Sequence, residues 1–206
     1  MDKQVVLFDA DGVIVRSELF CTHYQKTKGV AKEEILPFYH GIFQKCLTGK
    51  ADLKEVIAPW LPKWKWDSDV DDFLLQWFEY ENKVDQKIVD LIRELQKNAV
   101  SCYLATNQEK YRTQYMRKEM GFEELFDGIF SSAEVGSKKP QTEFYEFIFQ
   151  KLNVDKNKIL YTDDTASHVE GAKEAGIDAY LYTEFEPFHE YVKPMLKVVG
   201  SHRNII

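Results

Sequence analysis

Val5-Val6-Leu7-Phe8-Asp9-Ala10-Asp11-Gly12-Val13 is the stretch on which the reading of this chain turns. An apolar run stops abruptly at two aspartates spaced i and i+2, with glycine behind them. Such a run reads as a strand buried on both faces of a parallel sheet, and glycine lets the chain turn sharply after it. The two carboxylates then stand at the C-terminal end of a central strand, where open α/β sheets place their sites. Carboxylates that close together repel, so they need a cation or a shared proton. A hard cation with oxygen ligands, such as Mg2+, answers that need.

Downstream of about Val84 the pattern is regular. Val84, Ile88, Leu91 and Leu95 recur at helical spacing and predict an amphipathic helix. Val100 to Ala105 reads as a strand that stops at Thr106-Asn107, followed by a polar helix closing near Gly121 as its C-cap. Gly128 to Ser131 reads as a strand. Phe144, Phe147, Ile148 and Leu152 share one helical face. Ile159 to Thr162 is a strand ending at Asp163-Asp164; a helix through Val169 to Ala175 stops at Gly176, and Ala179 to Tyr182 makes a last strand. Strands alternating with helices imply βαβ units, hence an α/β fold: a Rossmann-like parallel sheet with helices on both faces.

Residues 16–80 differ. They read as mostly helical, carry all four tryptophans (Trp60, Trp64, Trp66, Trp77), and are broken at Pro59 and Pro62. The block sits between the first two strands and is too long for a simple crossover. It is expected to be an inserted helical cap on a core made of residues 1–15 and 81–206; the alternative is helices packed directly on the sheet.

The chain has 206 residues, 44% of them hydrophobic, enough for one domain with an insertion. A net charge of −7 argues against nucleic acid or an anionic membrane as main partner, but leaves room for a locally positive pocket. There is no long apolar span, and the first apolar run is too short and too acidic at its end to read as a leader peptide. Cys21, Cys46 and Cys102 are odd in number and lack metal-ligand spacing, which fits a reduced, cytoplasmic setting.

Four polar clusters follow four strand or loop ends in order: Asp9-x-Asp11, Thr106-Asn107, Lys138-Lys139-Pro140 and Asp163-Asp164. Parallel strands send their C-terminal ends the same way, so at least three clusters can meet in one crevice. Acidic clusters suit a metal, a lysine suits an anion, and a threonine hydroxyl with backbone N–H groups at a helix start suits phosphate oxygens. The combination points to phosphoryl transfer, where positioning and charge neutralisation dominate.

In order and content these motifs resemble the haloacid dehalogenase-like hydrolases, in the phosphatase branch with a helical cap inserted after the first motif, and among them members of the β-phosphoglucomutase and sugar-phosphate phosphatase type. The resemblance covers essentially the whole chain and is most specific in Phe8-Asp9-Ala10-Asp11-Gly12-Val13. It implies that Asp9 is the nucleophile that forms an aspartyl-phosphate, and that Asp11 is the acid and base. It implies that Thr106, with Asn107, binds the transferring phosphoryl group, and that Lys139, directly before Pro140, steadies nucleophile and phosphate. Mg2+ would be held by Asp9, Asp11 and Asp164, with Asp163 as ligand or support. The implied substrate is a small phosphorylated metabolite. Where many relatives carry an acid or asparagine four residues after the last-motif aspartate, this chain has His168.

Each position has a plainer reading beside this one. Asp-x-Asp-Gly alone serves turns and calcium-type loops as often as catalysis. Thr106-Asn107 and Asp163-Asp164 could cap the helices that follow. Lys138 reads as a solvated charge that could exchange roles with Lys139, His168 as a partly exposed structural residue, and the tryptophans as core. His23 and Tyr24 fall in the first cap helix, near where relatives gate the site. A phosphomutase sharing every core residue, and a non-catalytic binding protein that keeps the fold, remain open.

Overall fold

The structure, a computed structural model, describes residues 2–196. Gly200 to Ile206, a tail without readable chemistry in the sequence, lies outside the described residues.

Five parallel strands, β1 (Val5–Phe8), β2 (Ser101–Thr106), β3 (Gly128–Ser131), β4 (Ile159–Asp163) and β5 (Asp178–Leu181), form one sheet in the order β3-β2-β1-β4-β5. The strand that carries the acidic motif is therefore central. Its four residues are all buried, and they alternate between faces as strand geometry requires. Val6 and Phe8 join a cluster on one face, and Val5 and Leu7 join a cluster on the other. Burying each such side chain contributes about 1.5–3 kcal/mol.

Twelve α-helices lie among the described residues. α1 (Phe20–Lys28), α2 (Lys32–His40), α3 (Phe43–Cys46), α4 (Leu53–Ile57) and α5 (Val70–Tyr80) all fall between β1 and β2. α6 (Gln86–Lys97), α7 (Lys110–Lys118), α8 (Phe122–Leu125), α9 (Ser132–Val135), α10 (Thr142–Leu152), α11 (Ala166–Glu174) and α12 (Phe185–Val192) alternate with the later strands. Leu91 and Leu95 of α6, Met116 of α7 and Phe188 of α12 cover the Val6–Phe8 face. Phe144 and Ile148 of α10 and Ala172 of α11 cover the other, so helices flank the sheet on both sides. No helix among the described residues is long and apolar enough to cross a membrane.

Most expected elements appear within a residue or two. The helix read from Val84 begins at Gln86, because Asp85 caps it by accepting the Lys87 N–H at 3.0 Å. Gly121 differs in role. α7 already stops at Lys118, and Gly121, in the left-handed region at φ 70°, starts the short helix α8 instead. α12 has no counterpart in the sequence reading.

The helices of residues 16–80 have an apolar cluster of their own. Phe20, Ile35, Phe38, Trp64, Phe73 and Trp77 are buried within it, with Phe38 and Trp64 edge to face at 5.3 Å. Two ring donors and acceptors are satisfied locally: Tyr24 donates to the Trp64 carbonyl at 2.9 Å, and the Trp64 indole donates to the Glu34 carbonyl at 3.1 Å. The two connections to the sheet run side by side. Val15 forms a bridge with Val84, the Arg16 N–H donates to Lys83 at 2.9 Å, and the Asp85 N–H donates to Ile14 at 2.8 Å.

Candidate functional site

The register of the sheet assembles the acidic motifs. Phe8 is level with Thr162 of β4 and Leu104 of β2, so Asp9 emerges level with Asp163 and just short of Thr106. The Asp9 N–H donates to the Thr162 carbonyl at 2.9 Å, which fixes the first aspartate as a continuation of the strand. Beyond it the chain folds into a tight turn in which the Ala10 carbonyl accepts N–H groups from Ile14 and Val15.

Lys139 joins the strand ends. Its ammonium donates to Asp9 Oδ1 at 2.6 Å and to Asp163 Oδ2 at 2.7 Å, with all three side chains buried. Its backbone is gripped by Asn107: the Lys139 N–H donates to Asn107 Oδ1 at 2.9 Å, and Asn107 Nδ2 donates back to the Lys139 carbonyl at 3.0 Å. The Asn107 side chain thus positions the lysine, leaving its own backbone N–H for any anion at the strand end. The neighbouring Lys138 turns away and donates to Gln44 in the helical segment. Gly171 of α11 permits the approach of the lysine loop, since a Cβ there would stand 2.5 Å from the Pro140 carbonyl oxygen.

The two last-motif aspartates are in different situations. Asp163 is fully engaged: besides Lys139, it accepts from the Thr165 N–H at 2.8 Å, from the Tyr161 hydroxyl, and lies 3.0 Å from His168 Nδ1. Asp164 is exposed, and its only described side-chain hydrogen bond is from Thr165 Oγ1 at 3.1 Å. Its carboxylate lies against Gly12, where any Cβ would overlap it. Glycine at that position, at φ 87°, is needed both for the turn and for this approach.

Charge is out of balance here. Burial pushes the Asp9 carboxyl well above its usual range, against the pull of Lys139, and the Asp163 and Asp11 carboxylates add to the rise. Burial also raises Asp11, opposed by Arg112 and by the hydrogen bond from Gln108. Burial works against ionised Asp163 too, yet the Lys139 charge and the His168 and Tyr161 contacts hold it below the usual range. Lys139 stays charged because Asp9 and Asp163 outweigh its burial. Lys139, with Arg112 acting on Asp11, faces the four carboxyl groups of Asp9, Asp11, Asp163 and Asp164, too few cations for all four to ionise unaided. Asp9, Asp163 and His168 offer ligand atoms within 4.8 Å of one another, and Asp164 is close by over Gly12. Hard oxygen donors with surplus negative charge fit a small divalent cation such as Mg2+.

Several supporting residues were not visible in the motifs. Gln108 donates to Asp11 Oδ2. Glu109 caps α7 by accepting the Tyr111 and Arg112 N–H groups at 2.8 and 2.5 Å. Arg112 donates to the Phe78 carbonyl at 2.8 Å and stands 3.8 Å from Glu81, linking α7 to the helical segment. Tyr161 has a legible signal in its i, i+2 spacing to Asp163, which puts both on one face of β4. The Arg112–Glu81 contact spans 31 residues and leaves no local trace. His23 stacks on Tyr80 at 4.1 Å, and Tyr24 is buried in the aromatic cluster.

The chain is similar to known proteins in sequence and in fold. The sesquiterpene phosphatase astK of Aspergillus oryzae is 35% identical over 94 residues, which span 45% of this chain and 47% of that one. A phosphorylated carbohydrates phosphatase of Thermotoga maritima is 21% identical over 182 residues, covering 85% of this chain and 82% of its own. Among solved structures, a haloacid dehalogenase-family enzyme from Bacteroides thetaiotaomicron, crystallised as a magnesium complex, superposes with a TM-score of 0.80 over 94% of this chain and 100% of that one, at 18% identity. The haloacid dehalogenase-like hydrolase family matches residues 6–181, which run from within β1 to the end of β5 and take in the whole charged centre. The chain therefore belongs to the haloacid dehalogenase-like hydrolases, in their phosphatase branch.

Proposed function

We propose that the protein is a Mg2+-dependent phosphatase that hydrolyses a small phosphorylated metabolite through an aspartyl-phosphate on Asp9. The observation that carries this reading is the Asp9–Lys139–Asp163 chain of contacts, with Asp11 two residues further on beside Gln108. Lys139 orients Asp9 and pulls against the burial that favours its protonated form, toward the anion that attacks. An oxygen of Asp9 attacks phosphorus while the ester oxygen departs with the proton of Asp11, whose raised pKa favours the protonated form needed for that donation. Water then attacks the aspartyl-phosphate, Asp11 takes its proton, and phosphate leaves with Asp9 restored. Thr106 Oγ1, the Asn107 backbone N–H and Lys139 are the proposed holders of the transferring phosphoryl oxygens. Mg2+, when bound, would offset the charge gathered on those oxygens. Asp9, the Asp11 carbonyl and Asp164 are its proposed ligands, with Asp163 holding Lys139 in place and His168 holding Asp163.

The relatives are named for chemically diverse phosphorylated compounds: carbohydrates in one, a sesquiterpene in another, D-ribitol 5-phosphate in a third. That spread supports the reaction more than any one substrate. Residues 16–80 are proposed as a cap over the site, and the three free thiols suit a cytoplasmic setting.

Phosphate release from a panel of phosphomonoesters, with Mg2+ and with excess chelator, tests the reading. Release is expected only with Mg2+. Asp9→Asn is expected to lose it altogether, and Asp11→Asn to slow it about 10²- to 10⁴-fold. Full turnover by Asp9→Asn removes the nucleophile assignment, and chelator-insensitive release removes the metal.

A further inference from the structure

A cavity of about 270 Å³ opens from the site into the helical segment. Asp11, Asn107 and Gln108 form its floor at the strand ends. Above them the walls turn apolar: Leu36, Phe43, Leu47 and Trp77 line it, with Leu19 at the rim. Tyr39 and Trp77 meet edge to face there at 5.6 Å, a wall of rings from α2 and α5. Leu19 is 60% exposed, a large apolar side chain left in water beside a catalytic centre.

The polar side chains of the upper cavity are Cys21, Tyr39, His40 and Glu81. Glu81 accepts the Phe20 N–H at 2.7 Å and faces Arg112 at 3.8 Å. Among the described residues that line the cavity none is lysine or arginine. A second phosphate on the substrate would thus find no lysine or arginine in this chamber, only the exposed His40 imidazole. A polyhydroxylated leaving group would surrender its water to leucine and aromatic carbon.

Resting on the phosphatase reading above, we infer that the substrate is a monophosphate ester of an apolar alcohol, alkyl, prenyl-like or aryl, whose hydrocarbon body occupies this cavity while its single phosphate meets Asp9 and Lys139. The same geometry disfavours a bisphosphate intermediate, and with it a mutase.

A homologous series of methyl, butyl, hexyl and octyl phosphates, set against glucose 6-phosphate, tests the inference. kcat/KM is expected to rise about three- to fourfold per added methylene until the cavity is full, and Leu36→Asp is expected to flatten that slope. Turnover of methyl phosphate with a flat slope, or with glucose 6-phosphate preferred, overturns the apolar substrate and leaves the phosphatase standing. If no ester is hydrolysed, the phosphatase reading falls, and binding to the Asp9→Asn protein decides the inference. Calorimetry should then show octyl phosphate bound at least about tenfold more tightly than glucose 6-phosphate, with the advantage lost in Leu36→Asp; equal or reversed affinities overturn it.

Discussion

Asp163 and Asp164 are adjacent in sequence and opposite in circumstance. The first is buried and spends its oxygens on Lys139, Thr165 and Tyr161; the second is exposed over Gly12. The two asparagine variants should therefore fail differently. Asp164→Asn is expected to raise the half-saturating Mg2+ concentration about tenfold or more, with a melting temperature close to that of the parent. Asp163→Asn should lower stability, because it strips a partner from a buried ammonium, a change that costs about 3–5 kcal/mol when uncompensated. Thermal melts and Mg2+ titrations of both proteins separate the roles, and identical behaviour removes the division of labour. At this scale the sequence was informative about residue type and order, since Asp9, Asp11, Thr106, Lys139 and the aspartate pair all converge on one end of the sheet. It could not say which of two adjacent lysines turns inward. That depends on the grip of Asn107 on the Lys139 backbone, a contact across 32 residues.

Helix α7 illustrates how an element carries a cost. Glu109, at its N-cap, is almost fully buried, and burial pushes its carboxyl up to about 7 despite the two N–H groups it accepts. The folded protein then holds a proton that the unfolded chain, with its glutamate near the ordinary 4.5, has already released. Stability contributed at this site is accordingly present at low pH and lost as pH rises from about 4.5 to 7, by up to about 3 kcal/mol. Glu109→Gln keeps an acceptor oxygen and removes the titration. Its melting temperature should gain on the parent between pH 5 and pH 8; a gap that stays constant or closes contradicts the assignment. Elements themselves were well foretold by periodicity. Gly121 misled because glycine in the left-handed region serves helix ends and helix starts alike, and only the chain beyond it decides which. α12 escaped notice because Pro187 interrupts the helical spacing of Phe185, Phe188 and Val192.

Across the whole molecule, the apolar cluster of the helical segment meets the sheet's helices along a polar seam. Tyr111 and Tyr115 of α7 pack against the aromatic cluster, and Arg112 reaches Phe78 and Glu81 from beneath. All four tryptophans lie in the helical segment, so their fluorescence reports that part alone, while far-UV ellipticity reports every helix. In urea the two signals should change together in the parent protein. Arg112→Met, which leaves Glu81 buried without its cation, should move the fluorescence transition to lower urea than the ellipticity transition. Coincident transitions in the variant would show that the seam does not couple the two parts.

The pairing of Val15 with Val84 has a further meaning for how such a chain can be built. The segment that leaves the sheet and the one that returns are neighbours, so the intervening residues form a closed excursion rather than a link in the sheet. A protein engineer could join the two ends by a tight turn and keep every strand in its place, because closing a short loop between positions already in contact costs little chain entropy.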